Sequence, residues 1–181
     1  MEIVQPIRDK KFIESMKREL LKSGYRNYML FLFGINTGLR ISDILKLKVS
    51  DVKEQTHINL KEQKTGKEKK VKINGIIDEL ANYIEGMPDN SYLFASQKGD
   101  NKPITRVQAY RVLNKAAIAI GLNGEIGTHT LRKTFGYHFY QKTKDIALLQ
   151  ELFNHSSPSI TLRYIGINQD IMDNAMDNFI L

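Results

Sequence analysis

One short stretch, residues 56–73, carries the strongest strand signal in the chain. The segments "THINL" and "KKVKI" alternate or are rich in β-forming residues, and they flank the polar run "KEQKTGKE", in which Gly66 is suited to a turn. This pattern predicts a small antiparallel hairpin. Because most of the remaining chain has helical spacing of its apolar residues, the sequence predicts a mixed α+β fold, predominantly α-helical with a small antiparallel β-sheet.

Helical segments precede and follow the hairpin. Nine helices are predicted, over residues 9–22, 25–38, 39–47, 76–86, 105–120, 129–141, 145–153, 158–165 and 168–178. In the last of them, Ile171, Ala175 and Phe179 recur at four-residue spacing. This apolar stripe predicts that the tail packs against either its own domain or a neighbouring copy of the protein.

Composition limits the class of protein. The chain has 181 residues and 41% hydrophobic content, and its connectors are too short for domain linkers, so we expect a single domain over 1–181. Its core is expected at about 8–167, followed by a tail at 168–181. The absence of cysteine excludes disulfides and thiolate metal sites. No secretion signal or membrane-length apolar run is present in the sequence, which favours a cytoplasmic protein.

The charge balance is basic. Lysine and arginine outnumber aspartate and glutamate by 27 to 20, giving a net charge of +7. Such an excess is typical of proteins that bind a polyanion, although many basic proteins bind no nucleic acid. Charge alone therefore leaves nucleic-acid binding and simple solubility equally open.

The segment "GTHTLRKTF" is suited to phosphate binding. Thr128 is a plausible helix N-cap, which would place His129 in the first turn and Arg132 on the same face. A helix N-terminus offers free N–H groups, and a guanidinium group matches two phosphate oxygens at once. The motif is short, and by itself it fits a capped surface helix with a solvated arginine better.

Two further segments place cations near turns. In "NTGLRISD", Arg40 comes just after a glycine turn at Gly38 and precedes Asp43 by three residues, so the carboxylate could orient the guanidinium group. In "KEQKTGKEKK", Lys64 lies at the tip of the predicted hairpin. Taken singly, the first pattern fits a surface salt bridge and the second a solvated turn.

The segment "FNHSSPSITLRYIG" contains His155 and Tyr164, nine residues apart across a turn at Pro158. A tyrosine hydroxyl has a pKa near 10 and acts as a nucleophile only beside positive charge or a proton acceptor. The arginines and histidines above could supply both. The alternative is that Tyr164 is a half-buried aromatic residue on a terminal helix.

Together and in this order, these segments resemble the motifs of the catalytic domain of the tyrosine recombinases, or phage-type integrases. "TGLRISD" resembles the first arginine box, "KTGK" the hairpin lysine, and "HTLRKT" the His-x-x-Arg box. "NHSSPSITLRYIG" is similar to the segment that leads to the nucleophilic tyrosine. Asn154 stands where the family usually has glycine, and asparagine tolerates the left-handed backbone conformation of such a turn.

The resemblance implies a mechanism on double-stranded DNA. Tyr164 would attack a phosphodiester to form a 3′-phosphotyrosyl link, with Arg40 and Arg132 on the non-bridging oxygens. His129 would accept the tyrosine proton, His155 would donate a hydrogen bond to the phosphoryl group, and Lys64 would protonate the leaving 5′ oxygen. The mechanism implies no cofactor and no metal, and further recombinase protomers on the DNA are expected partners, with exchange of the C-terminal tail as one means of contact.

Several alternatives remain open from the sequence. The family's usual N-terminal core-binding domain is expected to be absent from this chain. A type IB topoisomerase would use the same chemistry to relax supercoils, and a non-catalytic module would only occupy attachment sites. A metal-dependent nuclease is disfavoured, because clustered carboxylates are not found near His129 or His155 in the sequence.

Overall fold

The computed structural model describes residues 4–122, 124, 126–167, 176, 177 and 179. This part of the chain contains eight α-helices and a two-stranded antiparallel sheet, which confirms the predicted fold class. The elements are α1 Lys10–Lys22, α2 Tyr25–Thr37, α3 Ile41–Ile44, β1 His57–Lys61, β2 Glu68–Lys72, α4 Ile77–Ile84, α5 Arg106–Ala119, α6 Thr128–Thr143, α7 Ile146–Phe153 and α8 Pro158–Tyr164. None of the helices in these ranges is long and apolar enough to cross a membrane.

The hairpin forms where the strand pattern predicts it. Ile58 pairs with Val71 in the antiparallel register, and both side chains are buried on the face toward the helices. The turn closes because the N–H of Gly66 donates to the carbonyl of Glu62 at 2.8 Å. Gly66 has a φ of 68°, a left-handed conformation that glycine adopts without steric cost.

Helices α2 and α6 pack together at the centre of the fold. α2 is buried almost all round, as expected of a helix that is apolar on every side. A Cβ atom on Gly34 would lie 2.5 Å from Cδ1 of Leu131, so only glycine permits this close approach. The contact fixes the start of α6 against the end of α2, where the candidate active site lies.

A second hydrophobic cluster joins α6, α7 and α8. Its buried members are Leu149, Phe153, Ile165 and Ile167. Gly136 on α6 makes this packing possible, since a Cβ there would come within 2.7 Å of both Phe153 and Ile165. The cluster holds α8, and with it the end that carries Tyr164, against α6.

The structure differs from the sequence-based expectations at two helix starts. The helix predicted over 39–47 is confined to Ile41–Ile44, with Arg40 as its extended N-cap residue. α6 begins at Thr128, so its N-cap is Gly127 and not Thr128. The capping hydroxyl belongs to Thr130, which accepts a hydrogen bond from the N–H of Gly127 at 3.0 Å.

The predicted tail helix over 168–178 lies almost wholly outside the described residues. Within that range the structure describes Met176 and Asp177, and beyond it Phe179; the side chains of Met176 and Phe179 are exposed. Its packing partner therefore stays a prediction.

Candidate active site

Tyr164 is the last residue of α8, a helix whose start is well defined. Ser157 caps it by accepting a hydrogen bond from the N–H of Ile160, and Pro158 occupies the first turn. The Tyr164 ring lies edge-on to the rings of Phe153 and His155, with centroids 5.6 and 5.1 Å away. These contacts hold the ring half-buried and fix the position of its hydroxyl group.

The hydroxyl oxygen of Tyr164 lies 3.5 Å from Nδ1 of His129. His129 is in the first turn of α6, as the sequence predicts. Burial lowers the pKa of His129, and so do the neighbouring positive charges of Arg106, Lys133, Arg132 and Lys64. The neutral imidazole is thereby favoured, and the neutral form is the one that can accept a proton.

Arg132 is buried beneath the site, with 2% of its surface exposed. Its Nη1 atom donates to the carbonyl of Gly38 at 2.6 Å, and its Nη2 atom donates to the carbonyl of Phe153 at 2.9 Å. The guanidinium carbon also lies 4.1 Å from the centre of the Phe153 ring. Arg132 therefore links the ends of α2 and α7. It is buried, whereas the motif alone predicts a solvated arginine.

Arg40 is oriented by a carboxylate that the sequence analysis did not single out. Its Nη1 atom lies 2.8 Å from Oε1 of Glu62, a side chain that is only 2% exposed. Nη1 is buried, and no described residue accepts a well-aligned hydrogen bond from it. The ion pair with Glu62 therefore fixes the guanidinium group of Arg40, whose side chain stays 16% exposed.

The prediction that Asp43 orients Arg40 is wrong. Arg40 is the extended N-cap residue of α3, and among the described residues its guanidinium group forms an ion pair with Glu62 and not with Asp43. Oδ1 of Asp43 instead accepts a hydrogen bond from the backbone N–H of Gln63 at 2.9 Å. Asp43 therefore anchors the hairpin, and Glu62 on that hairpin carries the charge that pairs with Arg40.

Lys64 is exposed in the hairpin turn, as the sequence predicts. Its positive charge contributes to lowering the pKa of both His129 and His155, so it lies within electrostatic reach of each. Lys67, further along the turn, donates to Oδ1 of Asn154 at 3.1 Å. Asn154 ends α7 with a φ of 54°, the left-handed conformation expected for this position.

Lys69 on β2 is a site residue that was not predicted. Its Nζ atom donates to the carbonyl of Leu152 and lies 3.7 Å from Oε1 of Glu62. Burial lowers its pKa to about 8, with further lowering from Arg132. Lys69 connects the hairpin to α7, so that the hairpin and the end of α7 that leads to His155 lie together on one side of the site.

His155 is held by Thr161, another residue that sequence reasoning missed. Nδ1 of His155 lies 3.0 Å from the hydroxyl oxygen of Thr161, which is fully buried. Burial lowers the pKa of His155 to about 4, with further lowering from Arg132 and Arg40. The ring is neutral at neutral pH. The Thr161 hydroxyl donates its one proton to the carbonyl of Ser157 at 3.2 Å, so Nδ1 of His155 is the donor to Thr161.

The Tyr164 hydroxyl is protonated in the resting site. Burial raises its pKa above the usual value of 10, while the charges of Arg132 and Arg40 lower it. The positive charges do not outweigh burial here, so loss of the proton needs a base such as His129 at the moment of attack.

These side chains come from separate elements of the fold. The loop after α2 carries Arg40, the hairpin carries Lys64, α6 carries His129 and Arg132, and the end of α7 and α8 carry His155 and Tyr164. The family model described as "Phage integrase family" matches residues 9–170.

The chain belongs to the phage integrase family. A relative within it, the probable integrase/recombinase YoeC of Bacillus subtilis (strain 168), is 57% identical over 171 residues, which cover 94% of this chain and 93% of YoeC. The crystal structure of XerA recombinase matches the fold with a TM-score of 0.78 at 21% identity, covering 100% of this chain and 66% of XerA.

The fold of this integrase-family chain also matches that of XerH site-specific recombinase. A crystal structure of XerH, described as a post-cleavage complex bound to palindromic difH substrate, has a TM-score of 0.72 and 26% identity. The match covers 91% of this chain and 50% of XerH. This integrase-family chain therefore spans nearly the whole of one relative and half of another.

Proposed function

We propose that this chain is the catalytic part of a site-specific DNA recombinase, which cleaves and rejoins DNA strands through a 3′-phosphotyrosyl intermediate on Tyr164. One observation carries the proposal. The hydroxyl of Tyr164 is within electrostatic reach of the guanidinium groups of Arg40 and Arg132, and it lies 3.5 Å from His129. The proposed nucleophile, its proposed base and the two cations proposed to bind phosphate thus lie within mutual electrostatic reach.

In the cleavage step, the oxygen of Tyr164 attacks the phosphorus atom of a DNA phosphodiester. His129 takes the tyrosine proton as the new phosphorus–oxygen bond forms. The bond to the 5′ oxygen breaks, and Lys64 supplies the proton that this leaving oxygen needs. The products are a DNA 3′ end joined to Tyr164 and a free 5′ hydroxyl.

Hydrogen-bond donors that are already in place stabilise the negative charge that develops on the phosphoryl oxygens. Arg132 is fixed by two backbone carbonyls and Arg40 by Glu62, so neither has to reorganise as the reaction proceeds. We expect His155 to donate to the same group when its Nε2 atom carries a proton. Electrostatic stabilisation of this kind is usually the largest contribution to phosphoryl transfer.

The covalent link conserves the energy of the broken phosphodiester. A 5′ hydroxyl from another strand can therefore reverse the step without a nucleotide cofactor or a metal ion. We propose duplex DNA and further protomers of the recombinase as partners, and the cytoplasm as the place of action. Support comes from XerH, whose structure is described as bound to palindromic difH substrate, and from the Tn1549 transposon integrase, described as in complex with circular intermediate DNA.

The proposal is tested with duplexes that carry a nick just beyond the cleavage position on its 3′ side. The short fragment that bears the new 5′ hydroxyl is then lost, and the adduct accumulates. A denaturant-stable protein–DNA adduct is expected from the wild-type chain and not from Tyr164→Phe. The adduct should form in the presence of EDTA, which would stop a metal-dependent nuclease. Relaxation of supercoiled DNA without strand exchange would instead assign the chain to topoisomerase activity, and DNA binding with no adduct would make it a binding module.

A further inference from the structure

Residues 4–8, which we call the N-terminal strap, lie along α6. The N–H of Ile7 donates to the hydroxyl of Thr134 at 2.9 Å, and the carbonyl of Ile7 lies 2.9 Å from Nε2 of His138. Because a carbonyl only accepts, Nε2 of His138 carries the proton. The Ile7 side chain is 2% exposed, so the strap is anchored at its centre by both backbone and side chain.

The strap also reaches the segment that follows the nucleophile. Nη2 of Arg8 donates to the carbonyl of Gly166 at 2.8 Å. A Cβ atom on Gly166 would lie 2.9 Å from Nη2 of Arg8 and 3.4 Å from Cδ of Pro6, so the strap is packed directly on this residue. One end of the strap thus borders the chain two residues after Tyr164.

The other end of the strap meets Lys133. Nζ of Lys133 donates to the carbonyl of Val4 at 2.6 Å, and it lies 5.2 Å from the centre of the Tyr164 ring. Lys133 is only 8% exposed. An ammonium group over an aromatic face is attracted by the ring quadrupole, and the attraction is larger where water is excluded.

We propose that Lys133 is a positioning residue for Tyr164, and that it holds the nucleophile's ring in place by fixing it to the N-terminal strap. The inference rests on the proposed function of Tyr164 as the nucleophile. Lys133 does not touch the phosphate in this role. It acts through the ring, since displacement of a reacting group by about 1 Å costs roughly a hundredfold in rate.

Lys133 also influences the base. The positive groups that act on His129 are Arg106 on α5, Arg132 and Lys133 on α6, and Lys64 on the hairpin. From α8 it meets the neutral hydroxyl of Tyr164. Removing the charge of Lys133 raises the pKa of His129 toward its usual value. In the pH–rate profile of cleavage, the fall in rate on the acid side should then begin at a higher pH, because His129 stays protonated over a wider range.

The first test is made without DNA. Fluorine NMR of fluorotyrosine-labelled protein reports the environment of each tyrosine, and the Tyr164 resonance is assigned by its loss in Tyr164→Phe. Lys133→Met keeps the apolar stem and removes the ammonium group. We expect the Tyr164 resonance to shift or broaden in Lys133→Met, to stay closer to wild type in Lys133→Arg, and to be unchanged in the control Lys142→Met, an exposed lysine of the same helix.

The second test measures cleavage at saturating DNA. Lys133→Met should lower the single-turnover rate by about tenfold or more, move its acid limb to higher pH, and leave the DNA dissociation constant and its salt dependence unchanged. An unchanged Tyr164 resonance together with an unchanged rate would overturn the proposal. So would a reduced salt slope, since that would make Lys133 a phosphate contact.

The strap itself is tested through Arg8→Gln, which removes the bond to Gly166. Arg8 and Lys133 both act on Tyr164 through the N-terminal strap. The effects of Arg8→Gln and Lys133→Met on the Tyr164 resonance should therefore be non-additive. Additive effects would contradict the role of the strap. If the wild-type chain forms no adduct while the resonance responds as expected, the proposed function fails and the positioning of Tyr164 by Lys133 stands.

Discussion

The hydroxyl of Tyr164 and Nδ1 of His129 lie 3.5 Å apart, although 35 residues separate them in sequence. The contact exists because α8 is packed on α6 through the glycine at position 136. It is at the long limit for a hydrogen bond, as is common for catalytic groups before substrate binds. Binding of a phosphate between the two arginines would place the phosphorus beside this pair.

Arg132→Lys should abolish most activity and also destabilise the fold. Lysine cannot donate to both backbone carbonyls in the fixed geometry of a guanidinium group, so one buried carbonyl loses its partner at a cost of about 1–3 kcal/mol. Loss of one preorganised donor is expected to slow cleavage by about 100- to 1,000-fold.

Chemical denaturation measures the loss of stability in Arg132→Lys, and single-turnover cleavage of DNA measures its loss of rate. Arg18→Lys, an exposed arginine on α1, serves as the matched control and should change neither quantity. Wild-type cleavage by Arg132→Lys would remove this side chain from phosphate binding.

Glu62→Gln should reduce cleavage with little effect on DNA affinity. Burial alone would raise the pKa of Glu62, but the hydrogen bond from Thr65 and the pairing with Arg40 outweigh it and lower that pKa, so the carboxylate is charged. Neutralising it leaves Arg40 without its counter-ion, which should cost about 1.5–3 kcal/mol in unfolding free energy. Glu68→Gln, on the exposed face of β2, is the control.

Comparison with Asp43→Asn distinguishes the role of Asp43 from that of Glu62. Asp43 holds the backbone of the hairpin at Gln63 and does not pair with Arg40, so its variant should mainly alter amide hydrogen exchange in the hairpin. Equal loss of cleavage in Glu62→Gln and Asp43→Asn, with an unchanged hairpin, would contradict the assignment of Glu62 as the partner of Arg40.

The sequence predicts most of the helices and the hairpin, but it does not predict which carboxylate pairs with Arg40. Helical periodicity located α1, α2 and α5 to α8 closely, and the strand pattern located the hairpin, because both depend on local spacing. The choice of Glu62 over Asp43 depends on where the hairpin docks, 22 residues along the chain from Arg40, and no local pattern encodes that contact. In sequence, Glu62 is one of several charges in a polar turn.

The buried supports were missed for a related reason. Lys69 and Thr161 are ordinary lysine and threonine residues in sequence, and only burial gives Lys69 its lowered pKa and Thr161 its contact with His155. Similarly, the N-cap of α6 was displaced by one residue, because the side chain of Thr130 caps the helix from inside its first turn. Local patterns identified the reacting groups, and tertiary packing decided what holds them.

Lys64→Ala should slow cleavage of ordinary DNA and be rescued by a better leaving group. Replacing the bridging 5′ oxygen of the scissile phosphate with sulfur gives a leaving thiolate, whose conjugate acid has a pKa of about 8.5 and which needs no proton donor. We expect a large rate loss on the oxygen substrate and near wild-type rates on the sulfur substrate. Lys70→Ala, on β2, is the control, and equal loss on both substrates would exclude Lys64 as the general acid.

The stability of the protein should fall in acid because of His155. Burial, followed by the charges of Arg132 and Arg40, lowers its pKa from 6.5 to about 4 in the folded chain. Between these values the unfolded chain binds more protons, so the contribution of His155 to stability is complete above about pH 6.5 and is lost as the pH falls toward 4. Chemical denaturation across this range should show a shallower pH dependence for His155→Asn than for the wild type. An identical slope would contradict the lowered pKa.

The most direct test of the central claim is to locate the DNA attachment point on the protein. The trapped adduct is digested with nuclease and protease, and the peptide that retains a nucleotide is sequenced by mass spectrometry. We predict that the nucleotide is joined through its 3′ phosphate to Tyr164 and to no other tyrosine. Attachment at a different residue, or an adduct of equal yield from Tyr164→Phe, would contradict the assignment of Tyr164 as the nucleophile.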